Sequence, residues 1–265
     1  MPAINLARLR KQAVELAQYF FEPKRFDFHF TELLDFYSNR TIKPGKQTSN
    51  NTYFKAYKVQ DPVLRTIMDE IRPLVIQSPD AALSLANLLW GEMVLEKRIF
   101  ATRMLELQPK ENAQSTLNLL GDWAINCRED QLLEEIASHP LLTIHYENWV
   151  LLIEHLNKWM LSENDMLIRL SLISLNIILT EHNITDLPSI FKLLTPLISE
   201  PTFSQRSLLN PIFKSLVRQS PGEIVFLIRQ IYNSQEVKNK GFLWLLKQNL
   251  EYFPETYRES LESMI

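Results

Sequence analysis

The chain has 265 residues, of which 46% are hydrophobic, enough to bury a sizeable core. Only 5 residues are glycine, the formal net charge is −3 and the isoelectric point is about 6.0. That balance excludes a wholly basic nucleic-acid-binding chain, although a local basic face can sit on an acidic body. The single cysteine, Cys127, excludes an internal disulfide framework and suits a reducing cytoplasm. No uncharged apolar run reaches the roughly 18 residues of a membrane span. The first twenty residues carry Arg8, Arg10, Lys11 and Glu15 instead of the apolar centre of a signal peptide, so they read as structural.

Leucine and isoleucine dominate, interleaved with charge, which favours helices. Apolar periodicity predicts helices over residues 4–21 and 27–37. The stretch 41–51, with Pro44-Gly45 and Ser49-Asn50-Asn51, reads as a loop. Asp61-Pro62 should open the next helix, with Asp61 as the N-cap and Pro62 at the first helical position, and Ser78-Pro79-Asp80 should open another in the same way. From there helices come in pairs: 80–90 with 95–107, 111–126 with 129–138, 146–161 with 163–180, 186–198 with 203–219, and 222–233 with 236–251, before a closing segment from Pro254. First helices begin about 32 to 40 residues apart, the pitch of helical-pair repeats. No such pair can bury its apolar face alone, and stacking makes one core. The expected architecture is therefore all-α, an α-solenoid of HEAT-like helical-pair repeats. It is read as one domain over 1–265, with residues 1–45 an N-terminal helical extension and 53–253 the repeated pairs.

Near the start of each second helix, an apolar residue is followed three positions later by a cation. The instances are Leu95 with Arg98, Met166 with Arg169, Phe203 with Arg206 and Val237 with Lys240, and Ile125 with Arg128 is a weaker fifth. A cation in a first helical turn faces the positive end of the helix dipole, at about 0.3–1 kcal/mol per site. Its recurrence has two readings. The cations bridge to nearby carboxylates (Glu92, Glu96, Glu163, Asp165, Glu200, Glu236), or they line up as a stripe that tracks a phosphate backbone.

Other chemistry is sparse. His29, His139, His145, His155 and His182 form no ligand pair at helical spacing, so no metal is expected. There is no glycine-rich phosphate loop and no Gly-x-Ser-x-Gly turn. Cys127 reads as a buried structural thiol. The five tryptophans, Trp90, Trp123, Trp149, Trp159 and Trp244, lie on apolar patterns that suit core packing. On a basic face, one of them could stack on a base instead, Trp123 beside Asp122 above all.

Three segments carry a family resemblance: Val59-Gln60-Asp61-Pro62-Val63-Leu64-Arg65, then Leu85-Ala86-Asn87-Leu88-Leu89-Trp90, then Glu96-Lys97-Arg98-Ile99-Phe100-Ala101. Their order and spacing resemble the opening repeats of the HEAT-like DNA-alkylation-repair family. The likeness runs over roughly residues 50–235, through Lys158-Trp159, the turn at 162–169 and Ser220-Pro221. It implies a basic concave groove for DNA, duplex or branched. In active members it implies removal of cationic alkylated bases with neither metal nor cofactor, with aromatic rings against the sugar and a carboxylate near the anomeric carbon to stabilise an oxocarbenium-like state. Active members carry a tryptophan with an aspartate four residues on. Aligned on Trp123, that position is Cys127; aligned on the helix start, the pair becomes Glu129 and Leu133. A second aromatic falls near Asn210-Pro211. The groove arginine matches at Arg169, and Arg206 falls on the cation of the next repeat.

Together with the repeat signature, the resemblance leads to the expectation of a DNA-binding relative, monomeric and cytoplasmic, gripping phosphates with Arg98, Arg169, Arg206 and Lys240, its glycosylase activity altered or absent. Were it active, Asp122 or Asp130 would be the carboxylate and Trp123 the aromatic wall. The alternative is a protein-interaction scaffold, which the net charge favours.

Overall fold

A computed structural model describes residues 5–38, 54–181, 186–234 and 239–265. The predicted loop at 41–51, together with His182, Glu236 and Val237, lies outside the described residues. The chain is an all-α helical-repeat solenoid. Among the described residues the one extended pairing is an isolated bridge between Lys55 and Val94, and no helix is long and apolar enough to cross a membrane. The chain divides into two compact units, Met1–Trp123 with Cys127–Asn148 and Ala124–Asn126 with Trp149–Ile265.

The first unit holds α1 (Leu6–Ala17), α2 (Pro23–Phe36), α3 (Asp61–Gln77), α4 (Pro79–Gly91), α5 (Leu95–Leu105), most of α6 (Ala113–Ile125), α7 (Asp130–Ile136) and α8 (Leu142–Glu147). Helices α1, α3, α5 and α7 pack in sequence as one row; α2 and α4 pack together beside it, with α4 also against α5. The expected start at Ser78-Pro79 is present, Ser78 being the N-cap and Pro79 the first helical residue. At α3 the boundary moves by one: Gln60 is the N-cap and Asp61 is already helical. The Asp61 carboxylate is engaged by Arg103 Nη1 at 2.7 Å and by Arg65, a charge-assisted alternative to capping. The predicted helix end near residue 138 is also displaced. A π-helical turn, Ala137–Leu141, takes in Pro140 and carries the chain into α8. A wider turn accommodates a residue that has no N–H to donate.

The core of this unit centres on Phe26, Phe30 and Phe100, all fully buried, with Phe30 and Phe100 ring centroids 4.8 Å apart. Lys97 is 2% exposed and its ammonium pairs with Asp27 of α2, which ties the N-terminal helices to α5. A second polar network joins α3, α5 and α7. Arg103 Nε meets Glu135 at 3.3 Å, while His139 meets Glu106 through Nδ1 at 3.0 Å and Glu135 through Nε2 at 3.4 Å.

Both His139 ring nitrogens face carboxylates. The hydrogen bond to Glu106 therefore raises its pKa above the ordinary 6.5 although burial opposes it, while His139 holds Glu106 below 4.5. The raised value fixes the sign of the linkage. The contribution is complete below the unfolded histidine's pKa, provided Glu106 is ionised, and is lost as pH rises through the folded value. Urea unfolding of wild type and His139→Gln should differ more at about pH 6 than at about pH 9. An equal difference at both would remove the charged pair from the account.

The second unit holds α9 (Trp149–Met160), α10 (Asp165–Glu181), α11 (Leu187–Ser199), α12 (Phe203–Gln219), α13 (Pro221–Ser234), α14 (Lys240–Asn249) and α15 (Glu255–Glu262). Its repeat is regular. Helices α9, α11 and α13 pack in order as one layer, and α10, α12 and α14 as the other. Local chemistry sets the starts: Asp186 accepts from the Ser189 N–H at 3.3 Å, Gln205 reaches back to the Thr202 N–H at 3.0 Å, and Asn239 accepts from the Gly241 N–H at 2.8 Å.

Candidate nucleic-acid interface

In the first unit, the end of α4, the start of α5 and the end of α6 converge on Arg98. Its Nε donates to the Glu92 carbonyl at 3.0 Å, an acceptor just before the helix that offsets the unfavourable dipole. Its guanidinium lies over the Phe54 ring at 4.3 Å and over Trp90 at 4.8 Å. Trp90 in turn stacks on Trp123, centroids 4.4 Å apart and planes 4° from parallel. The Trp123 N–H donates to Asn87 Oδ1 at 3.1 Å. Burial pushes the Arg98 pKa below the ordinary arginine value, but a guanidinium stays charged in proteins. The Cys127 thiol, fully buried, is pushed up by burial, with the Arg98 charge working the other way.

The carboxylates that the sequence offered to Arg98 are engaged elsewhere. Glu96 Oε1 accepts from the Lys58 N–H at 2.5 Å, and Glu92 lies 3.9 Å from the Lys97 ammonium. Among the described residues Arg98 has no carboxylate partner.

The candidate catalytic residues are distributed differently from one another. Asp122 and Trp123 are consecutive on α6, about 100° apart around the helix; Trp123 is 4% exposed, whereas Asp122 faces solvent. Asp130 is exposed in the first turn of α7, close enough to the Cys127 thiol to act on its charge. The structure thus brings Arg98, Trp90, Trp123 and Cys127 into one cluster and turns Asp122 away from the Trp123 ring.

In the second unit the cations of the repeat stand at the starts of the layer α10, α12, α14: Arg169, Arg206 and Lys240. Lys240 is exposed; Arg169 and Arg206 are half-buried. The Arg206 guanidinium lies over the Trp244 ring at 5.5 Å, and its buried Nε has no hydrogen-bond partner. Among the described residues Arg206 has no carboxylate partner. The chain makes room for it at Gly241, where a Cβ would sit 2.9 Å from Arg206 Nη2 and 2.8 Å from the Pro201 carbonyl oxygen. Gly241→Ala should therefore displace the guanidinium and destabilise the fold by about 1–3 kcal/mol in urea denaturation. An unchanged midpoint would show that the pocket has slack.

Two aromatic residues at this position escape a reading of the sequence. Trp244, expected in the core, is 37% exposed, and Phe203, expected only as the apolar residue of the repeat signature, is 88% exposed. A signal for Phe203 exists. Thr202 and Gln205 form a capping box, which makes Phe203 the first helical residue, ahead of the first buried turn. The site expected for an aromatic, Asn210-Pro211, lies further along α12, where Asn210 Oδ1 accepts from Asn249 Nδ2 at 2.9 Å.

A family profile described as DNA alkylation repair enzyme matches residues 37–222. No curated protein matches the chain.

Proposed function

Since the chain belongs to the DNA alkylation repair enzyme family, we propose that it binds DNA, duplex or branched, through Arg98, Arg169, Arg206 and Lys240, with glycosylase activity altered or absent. One observation carries the reading. Arg98 and Arg206 are held against tryptophan rings and, among the described residues, have no carboxylate partner. A cation kept for structure alone is ordinarily neutralised. One held by aromatic faces keeps its charge available to phosphate and is oriented by stacking. Phe203, in solvent three residues before Arg206, supplies an aromatic surface that can lie against a sugar or base.

The expectation of altered chemistry rests on Cys127 standing in the aspartate position four residues after Trp123, and the surroundings of Trp123 support it. The Trp123 ring is covered by Trp90, which itself carries the Arg98 guanidinium, and the Trp123 N–H is tied to Asn87, so Trp123 is engaged within the fold. Asp122 and Asp130 are both exposed and are the residues to test should base release be found.

The test is binding of fluorescent duplex and branched DNA at about 50 and 200 mM salt, followed by assay of free base from methylated duplex. Binding that weakens at least tenfold over that range, with little base release, is the expected result. Absence of binding at the lower salt overturns the proposal. Rapid release, lost in Asp122→Asn or Asp130→Asn, would assign the carboxylate and restore full catalysis.

A further inference from the structure

Helix α2 lies wholly outside the residues matched by the family profile. It buries Phe26, Phe30, Leu33 and Leu34 on one side. Its other side carries Arg25, Phe28, Glu32 and Phe36, whose spacing of three, four and four places them on one stripe. Phe21 stands just before the helix. Phe21 and Phe28 are each 61% exposed and Phe36 is 53% exposed, while the Arg25 and Glu32 side chains are 66% and 60% exposed. Single exposed apolar residues are ordinary on a surface, whereas aromatic residues gathered along one helix mark a contact.

The stripe reads alike from both ends. Phe21 and Phe36, and Arg25 and Glu32, are placed symmetrically about a point between residues 28 and 29. Turned end for end, the stripe sets phenylalanine against phenylalanine and cation against anion. That is the self-complementarity an isologous twofold interface requires. An unrelated partner would impose no such symmetry.

We propose that this face is the contact of a homodimer. The α2 helices of two copies lie antiparallel, the Phe28 rings meet at the twofold axis, and Arg25 of each copy faces Glu32 of the other. The present local partners do not oppose this. Arg25 meets Glu22 at 3.0 Å, Glu32 meets His29 at 2.9 Å and the Arg8 guanidinium lies over the Phe36 ring at 4.3 Å, exposed contacts that are exchanged at little cost. The sequence by itself suggests a monomer; the exposed stripe points to association, and it does so independently of DNA.

The experiment is sedimentation equilibrium of the full chain over a range of about 1–100 µM. Wild type should show concentration-dependent dimerisation, and Phe28→Ala should weaken it about tenfold or more. Arg25→Glu and Glu32→Arg should each weaken it, because every contact then sets like charges together, twice per dimer. The double variant R25E/E32R should recover it, and an equimolar mixture of the two single variants should form mixed dimers. All these positions are exposed, so circular dichroism should be unchanged. A wild type that stays monomeric throughout overturns the proposal. So does a dimer indifferent to the single swaps, or one that neither the double variant nor the mixture restores.

Discussion

Replacing Arg169 and Arg206 together by alanine should lower affinity for duplex DNA by about ten- to a hundredfold and reduce the slope of log K against log salt by about two. The two side chains occupy neighbouring helix starts in one layer of the second unit. Each phosphate that is no longer neutralised keeps about one counterion that binding would otherwise release, so the slope measures phosphate neutralisation independently of the affinity. Arg206→Lys sharpens the test. It keeps the charge and loses the planar face that lies over Trp244, so it should fall between wild type and alanine. A parallel urea titration separates binding from folding, because the guanidinium–ring interaction alone is worth only about 0.5–1 kcal/mol. Unchanged affinity and slope in the double variant would remove these arginines from the interface.

Asp27→Ala should destabilise the first unit by about 2–4 kcal/mol. The Lys97 side chain is 3% exposed, and of its two carboxylate partners only Asp27 is close; Glu92 lies 3.9 Å away and is half exposed. Removing Asp27 leaves a buried ammonium poorly paired, and that penalty exceeds what the pair itself contributes. Lys97→Met combined with Asp27→Leu should therefore lose less than Asp27→Ala alone, because no buried charge is left behind. Urea denaturation of the three proteins decides it. Equal losses in the single and double variants would mean that packing, not charge, holds α2 to α5.

Most of the fold is legible in the sequence because its signals are local. Pro79 at the first position of α4, the Thr202 to Gln205 capping box and Asn239 before α14 each act within a single turn. The period of leucines and isoleucines marks the pairs, and the predicted helix over 203–219 agrees with α12 at both ends. The departures also have physical reasons. Asp61 leaves the cap for Arg103, 42 residues away, and Pro140 is absorbed by a π-helical turn.

The candidate site is legible only in part. Recurrence in the sequence marks Arg98, Arg169 and Arg206, which are the fourth or fifth residues of their helices, whereas Lys240, expected at the same position, is the first residue of α14. A neighbouring cation, Lys97, bears no mark in sequence of being buried against Asp27, 70 residues earlier. The sequence determined which segments are helical, since this follows from backbone propensity and the 3.6-residue period, whereas several starts moved: α2, expected from 27, begins at Pro23, and α14, expected from 236, begins at Lys240. Only the tertiary structure decided which cations are neutralised and which lie on aromatic rings. It also decided that Trp123 is covered by Trp90 and that Phe203 stands in solvent. Long charged and aromatic side chains reach partners on other helices, and stacking, not spacing along the chain, chooses those partners.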